Sequence, residues 1–197
     1  MSGQIVLVRH GRTALNAQGR MQGRIDEPLD EVGDRQAAAL SRYLSTELGP
    51  DDLVVSSPLQ RALRTAEMIA NGREVMVDER WIELAYGEFD GRLQSDIPAE
   101  TWAKWRRDDE FAPPGGESLR TVSDRVVAAC LELVDRGFGH RIVIVSHVSP
   151  IKAAIVWALG AHPSLSWRMR LDTAAVSRIA VVGEATSLTS FNETHHL

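Results

Sequence analysis

The chain has 197 residues, which suits one domain with a sizeable core, and its 44% hydrophobic and 25% charged content is ordinary for a globular protein. A net charge of −5 without a basic block gives no reason to expect a nucleic-acid partner. No apolar run reaches the ~18 residues of a membrane span, no signal-peptide pattern opens the chain, and the single cysteine, Cys130, has no disulfide partner. We therefore expect residues 1–197 to form a single cytoplasmic domain that binds no membrane.

The first predicted element is a short buried strand, residues 5–8, followed directly by Arg9 and His10. The same order recurs at residues 142–145, an apolar strand that leads to His147. If the two strands are parallel, both histidines emerge at the same edge of one sheet. Open α/β sheets bind their ligands at that edge.

A long polar loop, residues 12–28, leaves the tip of the first strand, and loops of this length are often functional. A helical pattern then begins at Glu31 and ends at Gly49 and Pro50.

The second predicted strand, residues 53–55, leads to Ser56 and Ser57, either of which can cap a helix over about 59–70. That helix carries Arg61 in its first turn, over the carboxyl edge of the sheet. Because a cation is unfavourable beside a helix N-terminus, we expect Arg61 to meet an anion there.

The carboxylate of Glu83 interrupts an apolar run that follows a third predicted strand at 74–77. Two interpretations remain open from the pattern. Glu83 lies on the solvent side of an alternating strand, which the pattern alone favours, or in a semi-apolar pocket where burial raises its pKa.

Residues 94–112 carry Trp102, Trp105 and Phe111 at near-helical spacing. The aromatic stripe fits a lid or rim over the site, although such stripes are more often simple packing.

Ser118 is the predicted cap of a long helix at 119–136, which Gly137 ends. The remaining predicted elements are the strand at 142–145, a helix at 151–159 and two edge strands at 175–182 and 187–191. Strands that alternate with helices predict a three-layer α/β/α sandwich with a mainly parallel central sheet.

The predicted carboxyl edge gathers Arg9, His10, Arg61, His147 and, if it is buried, Glu83. Two histidines and two arginines suit a phosphate dianion better than a metal, because guanidinium groups repel a divalent cation and bind phosphate through two hydrogen bonds at once. A metal site at the two histidines lacks a third ligand at a recognisable spacing. We therefore expect no metal and no cofactor.

Five blocks of sequence match a known pattern in its order. They are residues 9–13 with Asn16, Arg20, Gln22 and Gly23, residues 56–62, Glu83 with residues 87–91, residues 115–118, and residues 145–147. Together they resemble the histidine phosphatase superfamily, also called phosphoglycerate mutase-like, over nearly the whole chain.

The resemblance implies a metal-independent phosphomonoesterase that hydrolyses a small phosphorylated metabolite through a phosphohistidine. His10 would be the nucleophile, neutral and with one free ring nitrogen. Glu83 would be the general acid and base, which needs a pKa nearer neutrality than ~4.3. Gln22 would lie further out, toward the leaving group.

The remaining site residues would bind the phosphoryl group. Arg9, Arg61 and His147 would hold its non-bridging oxygens, and Asn16 would add a neutral donor. The backbone N–H of Val148 can also point at phosphate.

Two departures from the family pattern affect the expectations. Arg12 stands where the family often has Glu, which should make the entrance more positive. Residues 148–152 replace the two glycines of many members, and this run resembles actinobacterial acid phosphatases and α-ribazole-phosphate phosphatase-like members more than glycolytic mutases.

Alternative functions are a phosphoglycerate mutase and a non-catalytic phosphate-binding module. Glycolytic mutases are typically longer, with inserted segments that close the site, so the length favours hydrolysis. The chain has all five of the expected central residues, which argues against a binding module. They are Arg9, His10, Arg61, Glu83 and His147. Substrate choice would depend on residues 12–28 and 93–111. Homodimers are common among relatives, and the C-terminal strands would offer an edge for one.

Overall fold

The structure is a computed structural model that describes residues 2–135 and 139–197. The predicted helix end at Arg136 and Gly137 lies outside these residues. The strands are β1 (Ser2–Arg9), β2 (Leu53–Ser56), β3 (Val75–Val77), β4 (Arg141–Ser146), β5 (Val176–Val182) and β6 (Ala185–Glu193). The α-helices are α1 (Ala14–Ala17), α2 (Glu31–Ser45), α3 (Gln60–Ala70), α4 (Ala99–Arg107), α5 (Leu119–Asp135) and α6 (Val148–Ala158). Short 3₁₀ turns lie at Glu79–Trp81, Gly87–Phe89, Gln94–Asp96 and Pro163–Arg168.

The described strands form one sheet in the order β3-β2-β4-β1-β5-β6. The first four of these are mutually parallel, whereas β5 and β6 form an antiparallel hairpin at one edge. In the β1–β4 register Arg9 lies opposite Ser146, so the next residues, His10 and His147, leave the sheet side by side. The prediction that both histidines share one edge is confirmed.

Helices cover both faces of the sheet. Ile5 and Leu7 pack on the side of α5 and α6, whereas Val6 and Val8 pack on the side of α2 and α3. Because the central strands are buried on both faces, they read as continuous apolar runs. The predicted three-layer α/β/α architecture is confirmed. Among the described helices, none is long and apolar enough to cross a membrane.

The prediction of a serine cap on α3 is wrong. Leu59 occupies the N-cap position and makes no side-chain cap bond. The backbone N–H of Gln60 instead donates to Asp26 Oδ1 over 2.8 Å, which ties the loop after β1 to the helix start. Ser57 Oγ accepts from Leu59 N–H at 3.4 Å and makes a second contact, described below.

Two other helix starts have clear local causes. Thr121 N–H donates to Ser118 Oγ over 3.1 Å, so the predicted cap of α5 is confirmed. Helix α6 begins at Val148, three residues before the predicted start, because Pro150 fits within a first turn whose N–H groups need no intrahelical acceptor.

Candidate active site

Two buried histidines form the centre of the candidate site. His10 follows β1 and is 3% exposed, and His147 follows β4 and is fully buried. Their ring centroids lie 5.0 Å apart. Parallel pairing of the two strands thus produces the contact that the sequence predicted.

The backbone fixes the tautomer of His10. Its Nδ1 lies 2.7 Å from the carbonyl oxygen of Gly11, and since a carbonyl only accepts, Nδ1 carries the hydrogen. The lone pair of Nε2 is then free. Burial, together with the charges of Arg61 and Arg9, holds the pKa of His10 well below its usual value, so the ring is neutral near pH 7.

His147 has the opposite tautomer. Arg61 Nε–H donates to His147 Nδ1 over 3.2 Å, which leaves the hydrogen on Nε2, 2.7 Å from Ser57 Oγ. Burial and the charge of Arg61 also lower the pKa of His147. The sequence analysis missed Ser57 as a site residue, although its place directly after β2, at the same sheet edge, was an available signal.

Arg61 reaches from α3 into the site and is 1% exposed. Its terminal nitrogens donate to the carbonyl oxygens of Gly23 at 2.7 Å and Ile25 at 2.8 Å. Burial lowers the pKa of Arg61 to about 10, so it remains charged near neutral pH. Arg61 therefore anchors the loop over residues 12–28 beside the two histidines.

Arg9 and Gln22 each have a buried donor that meets no acceptor among the residues that the structure describes. Arg9 uses Nη1 to donate to the Leu171 carbonyl over 2.6 Å, but its Nε is buried without a hydrogen-bond partner. Gln22 Nε2 is unpartnered in the same way. A buried unpaired donor costs free energy, so an acceptor supplied by a ligand would be favoured here.

Gln22 is buried and bonded to the residues that follow β1. Its side chain is 6% exposed, and Oε1 accepts from Thr13 Oγ1 at 2.9 Å and Asn16 Nδ2 at 3.3 Å. Asn16 in turn accepts from Thr13 N–H in the capping box of α1. Asn16 and Gln22 thus belong to one network of side-chain amides.

Glu83 is buried, at 5% exposure, so the solvated alternative is wrong. Its carboxylate accepts the N–H groups of Leu84 at 2.8 Å, Val148 at 3.1 Å and Ser149 at 3.1 Å. The N–H of Val148, which we expected to point at phosphate, donates to Glu83 Oε2 in this structure. The N-terminus of α6 therefore positions the candidate acid.

Glu117 supports the segment that carries Glu83. Its carboxylate accepts from Ala85 N–H at 3.3 Å and pairs with Arg24 at 2.9 Å and Arg125 at 3.2 Å. Both arginines also donate to the carbonyl oxygen of Glu83. The sequence analysis quoted Glu117 within a family block without a role, and nothing in its spacing pointed to this contact.

Arg12, which we expected to make the entrance more positive, forms an ion pair. Its Nε lies 2.8 Å from Asp30 Oδ2, so a carboxylate offsets the charge. The capping residue of α2 supplies that partner, which the sequence did not reveal.

A cavity of about 550 Å³ opens beside Glu83. Segment 93–111 forms one wall of it through Gln94, Ser95, Trp102, Trp105 and Arg106. The aromatic stripe is therefore both packing and cavity wall, since Trp105 is 1% exposed. The rest of the lining comes from Met21, Leu84, Tyr86, Leu119, Val148, Ser149, Lys152, Ser166 and Trp167.

Comparison with known proteins decides the family. The profile of the histidine phosphatase superfamily (branch 1) matches residues 5–194. The chain belongs to this superfamily. The site residues described above all lie within the matched range.

Histidine phosphatase relatives carry several names. The chain is 34% identical to phosphoserine phosphatase 1 of Hydrogenobacter thermophilus, over 98% of this chain and 94% of that protein. It is 38% identical to the probable phosphoglycerate mutase GpmB of Salmonella paratyphi C, over 89% and 84%. A mutant phosphoserine phosphatase of Entamoeba histolytica, crystallised with phosphoserine, has a TM-score of 0.90 at 28% identity over 99% of both chains. The chain spans 55% of the length of two mycobacterial relatives to which it is 36% identical.

Proposed function

We propose that this protein is a phosphomonoesterase that hydrolyses a small phosphorylated metabolite through a phosphohistidine at His10. The observation that carries the proposal is the free Nε2 lone pair of a neutral His10 beside the guanidinium groups of Arg9 and Arg61. Relatives named phosphoserine phosphatase support the reaction class.

Binding of the phosphoryl group would use the donors around His10. Arg9 Nε and Gln22 Nε2 are buried and unpartnered, and phosphoryl oxygens would satisfy both. The charges of Arg9 and Arg61 would stabilise the negative charge on the non-bridging oxygens, the task of Mg²⁺ in other phosphoryl-transfer enzymes. His147 would hold Arg61 in place through Nδ1, and its Nε2–H would reach the same oxygens by exchanging its contact with Ser57. Asn16 would add a neutral donor.

Hydrolysis would follow in two steps. In the first, His10 Nε2 attacks phosphorus, the bond to the leaving oxygen breaks, and Glu83 donates a proton to that oxygen. In the second, a water molecule attacks the phosphohistidine while Glu83 accepts its proton, and inorganic phosphate leaves. His10 returns to its neutral state.

A mutase is the second candidate, favoured by relatives named probable phosphoglycerate mutase. It would use the same phosphohistidine but return the phosphoryl group to an organic acceptor instead of water. Efficient conversion of 3-phosphoglycerate to 2-phosphoglycerate with 2,3-bisphosphoglycerate present, and little release of phosphate, would favour this candidate over hydrolysis.

The direct test of the proposal is hydrolysis of p-nitrophenyl phosphate with and without EDTA. We expect activity to persist in EDTA, and His10→Ala to lower kcat by at least about a thousandfold while the fold survives. His140→Ala is the matched control, because His140 is exposed. Near wild-type activity of His10→Ala would overturn the nucleophile assignment.

A further inference from the structure

The cavity beside Glu83 carries positive charge that nothing in its lining balances. Lys152 and Arg106 line it, and no carboxylate is among the described residues that do so. Trp102, Trp105 and Trp167 supply an apolar wall. A concave site with apolar walls and uncompensated cations suits an organic anion.

Lys152 is the cation that most needs a partner. It lies on α6 one turn after Val148, and both residues line the cavity. Lys152 is half-buried. Burial lowers its pKa, the nearby carboxylate of Glu83 opposes this effect, and the charge of Arg9 adds to it. Within residues 2–135 and 139–197 it makes no hydrogen bond or ion pair. A half-buried ammonium without a direct ion-pair partner is costly, and an anionic ligand would remove that cost.

The other cations near the cavity either are screened by solvent or lie at the histidines. Arg106 is exposed and lies over the ring of Trp102 at 5.9 Å, so solvent screens its charge. Arg9 and Arg61 lie at the histidines, where the transferred phosphoryl group would bind. Lys152 is left to contact a different part of the same ligand.

We propose that Lys152 selects substrates whose leaving group carries a second anionic group, a carboxylate or a second phosphate. The inference rests on the proposed function, because the transferred phosphoryl group is taken to bind at Arg9 and Arg61. The organic body between the two anions lies in the cavity against its tryptophan wall.

The test measures binding rather than turnover, so that it does not depend on hydrolysis. In the His10→Ala background, calorimetry compares three ligands with the same three-carbon chain: glycerol 3-phosphate, 3-phosphoglycerate and 1,3-propanediol bisphosphate. We expect the carboxylate or the second phosphate to improve affinity by about tenfold or more over glycerol 3-phosphate. Whichever ligand shows the gain identifies the second anion.

The variants then assign the preference to one side chain. Lys152→Met should abolish the preference, and Lys152→Arg, which keeps the charge, should retain most of it. Lys104→Met is the matched control, since Lys104 is the only other lysine, is exposed, and lies over the Phe111 ring at 4.7 Å. Lys152→Gln provides a second neutral variant if Lys152→Met fails to fold.

Equal affinity for the three ligands, or a preference that survives loss of the Lys152 charge, would overturn the inference. The outcome is separable from the test of the proposed function. His10-dependent hydrolysis of p-nitrophenyl phosphate without the preference would refute the role of Lys152 alone. A Lys152-dependent preference without any hydrolysis would refute the phosphomonoesterase and leave the binding role standing.

Discussion

Arg61 and His147 are joined by a hydrogen bond of 3.2 Å in which the guanidinium Nε–H donates to the imidazole Nδ1. The bond connects α3 to the end of β4, so a helix and the sheet orient each other's side chains. It also fixes which nitrogen of His147 carries the hydrogen. Arg61 thereby organises the site as well as supplying charge.

Arg61→Lys should lower kcat/KM by at least about a hundredfold, because a lysine cannot reproduce the donors to His147, Gly23 and Ile25 at once. Arg64→Lys is the control, since Arg64 lies one turn further along α3 and is largely exposed. Steady-state kinetics with p-nitrophenyl phosphate checks both. Equal effects of the two substitutions would contradict the role of Arg61.

Ser57→Ala should leave the Nε2–H of His147 buried without an acceptor, which costs about 1–3 kcal/mol of stability. We expect kcat/KM to fall by about tenfold as the ring loses its fixed orientation. Ser57→Thr keeps the hydroxyl and should recover part of the activity, which a loss of packing alone would not explain. Urea unfolding and kinetics together measure the two effects, and full activity of Ser57→Ala would refute a positioning role.

Glu83→Gln should lower kcat/KM most for the substrates with the poorest leaving groups. Alkyl phosphates need a proton on the leaving oxygen, so kcat/KM for glycerol 3-phosphate should fall about a hundredfold or more, and that for p-nitrophenyl phosphate much less. Glu88→Gln is the control, because Glu88 is exposed. The ratio between the two substrates is the quantity to measure, and an equal loss for both would argue against general acid catalysis by Glu83.

Stability should fall as the pH is lowered from 7 toward 5. Burial lowers the pKa of His10 and His147 below the value near 6.5 of an unfolded chain. Between those values the unfolded chain binds protons that the native protein does not, which removes up to about 1.4 kcal/mol per pH unit for each histidine. Urea unfolding at several pH values tests this. His10→Asn should flatten the dependence, whereas His140→Ala should not, and identical slopes would contradict the expectation.

The fold and the cluster of Arg9, His10, Arg61 and His147 followed from local pattern. The runs at 5–8 and 142–145 end in histidines, and parallel pairing alone brings His10 and His147 together. Arg61 was found because a cation in a first helical turn is unusual.

Contacts between distant segments could not be predicted. Ser57 looked like a helix cap, but Asp26, a residue of the preceding loop, supplies the acceptor at the start of α3. Glu83 looked solvated because the pattern does not show that the N-terminus of α6 lies against it. The cavity combines residues from α4, α6 and the turn Pro163–Arg168, so its shape depends on packing that no single segment encodes.

The most direct measurement is to trap the phosphohistidine. Glu83→Gln should still be phosphorylated by p-nitrophenyl phosphate, whose leaving group needs little acid assistance, but should release phosphate slowly because water is no longer activated. Rapid quenching in alkali followed by peptide mass spectrometry should therefore find phosphate on His10, and none in the double variant with His10→Ala. Phosphate on another residue, or turnover by Glu83→Gln with His10 never modified, would contradict the account.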